Sequence, residues 1–301
     1  MIGLRNPFRI PLPGRPPLEL GGRALVMGIL NLTDDSFSAD GLARDPARAL
    51  DLVREMEDAG ADLIDIGAES TRPGAAPVTL TEELSRLRPV LRAVGCRSRV
   101  PLSIDTTKAE VANFALDEGV SIVNDVSALQ SDPEMGPLVA VRGVPLVLMH
   151  MRGRPDDMYA HAQYDDVAGE VGRDLQRRVE RAVGYGVAWD RILLDPGLGF
   201  AKRAEHSLAV LAQCARLSGL GRPLLLGPSR KSFLTVATGP LPADDRDWPS
   251  AAAVTAAVLG GAHIVRVHRV REMVQVVRVA DAIRAAADAR PPQPAAGTLL
   301  G

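Results

Sequence analysis

The chain has 301 residues, enough for one large α/β domain with a full core. Its formal net charge is −2, which points away from nucleic acid and acidic membrane surfaces. No apolar run reaches about 18 residues, no signal-peptide pattern opens the chain, and Cys96 and Cys214 stand alone, so no membrane span and a cytoplasmic, reduced compartment are expected.

Residues 1–20 are Pro-rich and read as an N-terminal arm, extended or poorly packed. Ala24 to Leu30 is the first predicted strand, and a polar loop from Asn31 to Gly41 follows it. Asp45-Pro46 signals a helix start, with Leu50, Val53 and Met56 as the apolar stripe and Gly60 as the stop. Strand two is Asp62 to Ile66, and its loop runs from Gly67 to Thr79. Helix two carries Leu84, Leu87 and Leu91. Strand three ends at Asp105, and helix three covers Ala109 to Glu118 before Gly119. Strand four ends at Asn124, strand five at Met149-His150, strand six at Asp195, strand seven at Gly227 and strand eight at Val267. The last helix spans Val270 to Ala287, and residues 289–301 read as a flexible tail.

Short apolar runs that end in polar residues, with helices between, predict a (β/α)8 TIM barrel over residues 21–288 with its site at one rim. A doubly wound open sheet is the alternative, but it gathers its ligand groups at one switch point. Here nearly every strand end is polar.

Asp105 and Asp195 end apolar strands, where an unpaired buried carboxylate would be costly. Each could simply cap the next helix. With Asn124 they offer several acceptors and one donor, a set that suits a flat heterocycle with amino and amide groups. Arg266 and His268 lie two apart on one strand and so share a face, as a phosphate or oxyanion site would need. Ser229-Arg230-Lys231-Ser232 opens a predicted helix, whose N-terminus would attract an anion. Arg72 sits in a long loop that could meet an anionic substrate or water. Phe37 and Phe200 in rim loops could stack on a ring or plug the loops. His150 and His161 have no metal-like spacing to Cys or acidic residues, and His206 and His263 read as structural or surface residues. The only lysines, Lys108, Lys202 and Lys231, each follow a predicted strand end. The pattern describes a barrel that binds a polar ring and an anion, and it names no reaction.

The ordered motifs add a reaction. Gly28-Ile29-Leu30-Asn31-Leu32-Thr33-Asp34-Asp35-Ser36-Phe37-Ser38, Asp65-Ile66-Gly67-Ala68-Glu69-Ser70-Thr71-Arg72-Pro73-Gly74 and Ser103-Ile104-Asp105-Thr106 come first. Val123-Asn124-Asp125, Leu148-Met149-His150-Met151-Arg152-Gly153, Asp195-Pro196-Gly197-Leu198-Gly199-Phe200-Ala201-Lys202, Gly227-Pro228-Ser229-Arg230-Lys231-Ser232 and Arg266-Val267-His268 follow. Together they resemble the dihydropteroate synthase family over residues 24–287.

The resemblance implies a dimeric barrel that condenses 6-hydroxymethyl-7,8-dihydropterin diphosphate with 4-aminobenzoate in folate synthesis, and a sulfonamide target. It implies that Asp105, Asn124, Asp195, Gly227 and Lys231 hold the pterin, with Met149 against its face. Asn31, Arg266 and His268 would bind the diphosphate, with Mg²⁺ at Asn31. Phe37, Thr71, Arg72, Pro73, Phe200 and Ser232 would surround the aminobenzoate. Asp105, Lys231, Arg266, His268 and Arg72 are the expected catalytic groups. The family's first loop usually reads Ser-Asp-Gly-Gly after its Phe, whereas this chain has Ser38-Ala39-Asp40-Gly41-Leu42. A pterin-dependent methyltransferase of the same barrel type would share the Asp and Asn residues, but it would not need Arg72, the Ser229–Ser232 stretch or the Arg266–His268 pair. A non-catalytic pterin-binding paralogue is the other alternative.

Overall fold

The computed structural model describes residues 2–32, 43, 45–70 and 77–288. Its first elements are an antiparallel ribbon, β1 (Phe8–Leu12) and β2 (Arg15–Leu20). Strands β3 (Leu25–Asn31), β4 (Leu63–Gly67), β5 (Leu102–Asp105), β6 (Ile122–Asp125), β7 (Leu146–Met149), β8 (Ile192–Asp195), β9 (Leu225–Leu226) and β10 (Ile264–Val267) follow. They form one parallel sheet in the order β8-β7-β6-β5-β4-β3-β10-β9. A parallel bridge between Leu194 and Leu224 closes it into a barrel.

Helices α1 (Pro46–Asp58), α2 (Leu80–Val94), α3 (Ala109–Asp117), α4 (Met135–Arg142), α5 (Val167–Gly184), α6 (Ala204–Ala212), α7 (Thr235–Thr238), α8 (Asp247–Leu259) and α9 (Val270–Asp288) lie between or after the strands. The architecture is the expected (β/α)8 TIM barrel. Local chemistry starts several helices: Asp45, Thr79 and Asp166 each accept a backbone N–H from the first turn that follows.

Alternation along the strands sorts the core into two parts. Val26, Ile64, Ile66, Ile104 and Val265 pack outward against the helices. Leu25, Met27, Leu63, Ile122, Val147, Leu193, Leu225 and Ile264 belong to a separate buried cluster, which also contains Ile10, Leu12, Leu18 and Leu20 of the ribbon. The ribbon is therefore the floor of the barrel, at the end opposite the strand C-termini.

This corrects the expectation of an extended or poorly packed arm. The prolines Pro11, Pro16 and Pro17 lie in a two-stranded ribbon, where missing ladder donors are tolerated. The alternating pairs Ile10/Leu12 and Leu18/Leu20 supply its apolar face.

The segment before the ribbon is tied to the barrel by His263. Its Nδ1 accepts the Leu224 backbone N–H at 3.1 Å, and its Nε2 lies 2.9 Å from the Asn6 carbonyl. Nε2 therefore carries the hydrogen, and the ring is neutral. Burial pushes His263 down from 6.5 to about 4.

Two predictions follow from the floor. Ile10→Ala should lower the unfolding free energy by about 2–5 kcal/mol in urea titrations, whereas an unpacked arm would show almost no change. Because the unfolded chain takes up the His263 proton at higher pH than the folded one, its contribution is complete above pH 6.5 and fades as pH falls toward 4. A His263→Asn variant should therefore flatten the decline in stability over that window, and an unchanged pH profile would contradict the assignment.

Candidate active site

At the strand C-termini the barrel interior changes from apolar to charged. Asp65, midway along β4, is fully buried. Its Oδ2 accepts Arg266 Nε at 2.6 Å and Asn124 Nδ2 at 3.1 Å. Arg266 also donates through Nη2 to Asp105 Oδ2 at 3.0 Å. Strand register explains the convergence: Gly67 on β4 lies beside Asp105 on β5, and Asp105 beside Asn124 on β6. Asp65 Oδ1 and the hydroxyl of Ser103, its register neighbour on β5, are buried with no hydrogen-bond partner among the described residues.

Charge is balanced unevenly here. Burial drives the Asp105 carboxyl well above the usual carboxylate range, against the pull of Arg266, while Asp65 and Glu83 add to the rise. Burial likewise raises Asp195, although the Gly197 N–H donates to its Oδ1 at 2.7 Å. Burial lowers Lys231 to about 8, against the attraction of Asp195 and Asp105. The Lys231 ammonium lies 3.9 Å from the Phe200 ring centroid, a cation–π contact. Met149, beside Asp195 in the register, joins Phe200, Met151, Met158, Val126 and Ala201 in a small buried cluster.

Among the described residues, three rim loops hold non-glycine residues in left-handed backbone conformations: Ala128 and Leu129, Ala201, and Arg230. Each is pinned by side-chain bonds. Asp125 accepts the Ser127 and Leu129 backbone N–H groups at 2.8 and 2.7 Å. Tyr164 donates to the Ala201 carbonyl at 2.9 Å. The Arg230 backbone N–H donates to Ser250 Oγ at 2.8 Å, and its guanidinium bonds Asp244 and Asp247. The Arg230 clamp fixes the backbone that carries Lys231.

The structure brings Asp105, Asn124, Arg266, Asp195, Lys231, Met149 and Phe200 to one rim. Asn31 ends β3 and Gly227 follows β9 at the same rim. Phe37, Thr71, Arg72, Pro73 and the altered first-loop residues lie outside the described residues.

Two expectations need correction in form. Arg266 and His268 do not act as a free pair. Arg266 is engaged by two carboxylates, while the Ser229 hydroxyl lies 3.0 Å from His268 Nδ1. Burial, then the Arg266 charge, pushes His268 down to about 3, so it is neutral at pH 7. Ser232 is exposed and opens only a three-residue 3-10 turn before the four-residue α7, so no long helix points at it.

The expected Mg²⁺ at Asn31 is overturned. Among the described residues no group of three or more His, Cys, Asp or Glu side chains could hold a metal ion. A hard cation needs several oxygen ligands, and Asn31 has one neutral amide oxygen, while the nearby acidic pair of Asp65 and Asp105 is taken by Arg266.

Asp65 is a carboxylate of the charged layer that strand-end position does not single out. Its signal was a carboxylate inside an apolar strand, one residue from each flanking Ile. Such a group must be buried with a cationic partner.

The chain is similar to known pterin-binding proteins along most of its length. The family model described as "Pterin binding enzyme" matches residues 27–268. The dihydropteroate synthase of Synechocystis is 44% identical over 93% of this chain and 97% of its own length. That of Escherichia coli K12 is 43% identical over 85% of this chain and 90% of its own. The crystal structure of the Yersinia pestis dihydropteroate synthase with a sulfonamide drug superposes with a TM-score of 0.86 at 40% identity, covering 92% of this chain and all of that one.

The fold and the family match are those of a pterin-binding barrel enzyme. The chain belongs to the dihydropteroate synthase family. It is a transferase that condenses 6-hydroxymethyl-7,8-dihydropterin diphosphate with 4-aminobenzoate to give 7,8-dihydropteroate and diphosphate.

Asp65→Ala should cost about 3–5 kcal/mol of stability, because it strands Arg266 and Asn124 without their shared buried acceptor. Chemical denaturation measures this, and a loss under about 1 kcal/mol would show that Arg266 does not depend on Asp65.

Proposed function

We propose that the charged layer divides the reaction among its residues as follows. Asp105, Asn124 and Asp195 accept and donate to the polar edge of the pterin, with Lys231 and the Gly227 backbone beside them and Met149 against the ring face. Arg266, His268 and Asn31 face the diphosphate. Phe200 and Ser232 border the aminobenzoate, and the sequence-based assignments of Phe37, Thr71, Arg72 and Pro73 place them there too.

The bond between the pterin methylene and the diphosphate oxygen breaks, and its electron pair leaves with diphosphate. The amine lone pair of 4-aminobenzoate then closes the new C–N bond, and the proton is lost to solvent. The cation formed between these steps is favoured by Asp105 and Asp195, whose ionised forms it stabilises against the effect of burial. Arg266 stabilises charge growing on the leaving group, in the manner of preorganised donors. Neutral His268 offers one ring N–H to the same oxygens.

The observation that carries this reading is the Arg266 guanidinium held between Asp65 and Asp105. It sets one cation beside a pterin-binding carboxylate, where a leaving diphosphate would need it.

We extend the reading to a homodimer working in the cytoplasm, with residues 21–288 as the catalytic unit. Exposed Trp248 and Val279 on the packed helices α8 and α9 support self-association. Among the described residues no helix is long and apolar enough to cross a membrane. Light scattering should give twice the chain mass, and Trp248→Glu should shift it toward one chain. A parent protein that stays monomeric at micromolar concentration would remove the dimer.

Asp105→Asn and Arg266→Ala should each lower kcat/KM by on the order of 10²-fold or more while the circular dichroism spectrum is kept. Near-parent turnover in either variant would remove that residue from the site. A sulfonamide should raise the apparent KM for 4-aminobenzoate and leave kcat unchanged. Inhibition that high 4-aminobenzoate does not relieve would contradict the proposed shared site.

A further inference from the structure

Among the described residues Lys202 is the largest fully buried side chain, at 1% exposure, and the condensation makes no use of it. Its ammonium donates to the Gly197 carbonyl at 3.1 Å, the Phe200 carbonyl at 3.0 Å and His150 Nδ1 at 2.8 Å. Three N–H groups meet three acceptors, the full capacity of an ammonium. His150 Nε2 lies 3.0 Å from Asp174 Oδ2, so the ring hydrogen sits on Nε2 and Nδ1 is free to accept. Asp174 is in turn held by Arg152 Nε at 3.1 Å and by Arg177.

Two of the three acceptors belong to the loop that joins β8 to α6. That loop is tightly wound, with Gly197, Gly199 and Ala201 all in left-handed conformations. A Cβ at Gly197 would lie 2.1 Å from the His150 carbonyl oxygen, so the loop backbone packs directly on the β7 end. The loop begins at Asp195 and carries Phe200, whose ring contacts the Lys231 ammonium.

We infer that Lys202 is a positioning residue of the reaction: its buried ammonium is the hub around which the β8–α6 loop folds, holding Asp195 and Phe200 in place against Lys231. The inference rests on the proposed assignment of Asp195 and Phe200 to the substrate site. Burial pushes Lys202 down to about 7, against the attraction of Asp195; a neutral amine would turn a lone pair toward one of the three acceptors, so the geometry favours the charged form and an apolar side chain does not fit.

Lys202→Met keeps the stem and removes all three donors. In the purified full chain, kcat and KM for both substrates are measured together with Tm. The variant should lose on the order of 10- to 100-fold in kcat/KM, the scale of a displacement near 1 Å at a positioning group. Adding Phe200→Leu to it should cost less than Phe200→Leu costs alone, because the loop is already displaced. Parent-like kcat/KM in folded Lys202→Met, with only Tm lowered, would overturn the inference and leave Lys202 a purely structural residue.

Phe200→Leu and Asp195→Asn are run in the parent chain alongside. Full turnover in both would remove the site assignment on which the inference rests, an outcome distinct from a silent Lys202→Met. If Lys202→Met does not fold, His150→Leu removes only one acceptor and is read by amide exchange across residues 195–202 and by kcat/KM. Faster exchange with lost turnover is expected, and parent-like values of both would overturn the inference.

Discussion

A single guanidinium organises the mouth of this barrel. Arg266 bridges Asp65 and Asp105, and Asn124 donates to the same Asp65 oxygen. Removing two carboxylates from water costs several kcal/mol each unless a cation and hydrogen bonds compensate. One Arg cannot neutralise both carboxylates. The excess negative charge is met across the rim by Lys231, which the fields of Asp195 and Asp105 attract. The site is therefore a nearly balanced cluster that tolerates both an electron-poor ring and a departing anion.

Everything below that layer serves to keep it fixed. The ribbon of Ile10, Leu12, Leu18 and Leu20 fills the barrel floor and joins the apolar interior residues of seven barrel strands in one cluster. Above the layer, strained loops are clamped by Asp125, Tyr164 and the Arg230–Ser250 contact. The same logic gives the three lysines their placement. Lys108 pairs with Glu69 and Glu83 at 2.5 and 2.6 Å and so links the ends of β4 and β5 to α2. Lys202 gathers a loop, and Lys231 faces the cluster. Lys108 and Lys202 each sit where acceptors converge, and Lys231 lies against the Phe200 ring in the field of Asp195 and Asp105.

The alternation of apolar runs and helices was enough to read the barrel, because parallel strands buried on both faces leave a near-continuous hydrophobic signature. Asp105, Asn124 and Asp195 were legible because each ends such a run. Asp65 was not, because it lies within one, and only its partner explains it. The ribbon was obscured by its prolines, which suggest disorder unless the alternating Ile and Leu residues are weighed against them. Spacing placed Arg266 and His268 on one face but could not say that different partners claim them. The Ser229–Ser232 stretch had the grammar of a helix start, yet the helix that follows has four residues. A resemblance carried the expectation of Mg²⁺ at Asn31, and the described residues offer no cluster to hold it.

The most direct test of this account is a double-mutant cycle on Asp65 and Arg266, read as the rate of dihydropteroate formation. Asp65→Asn, Arg266→Ala and the combined variant are compared at matched folded concentration. If Asp65 acts by holding Arg266, the double variant should be no slower than Arg266→Ala alone. Losses that simply add would show that the two residues work independently, and the guanidinium bridge would no longer be the centre of the site.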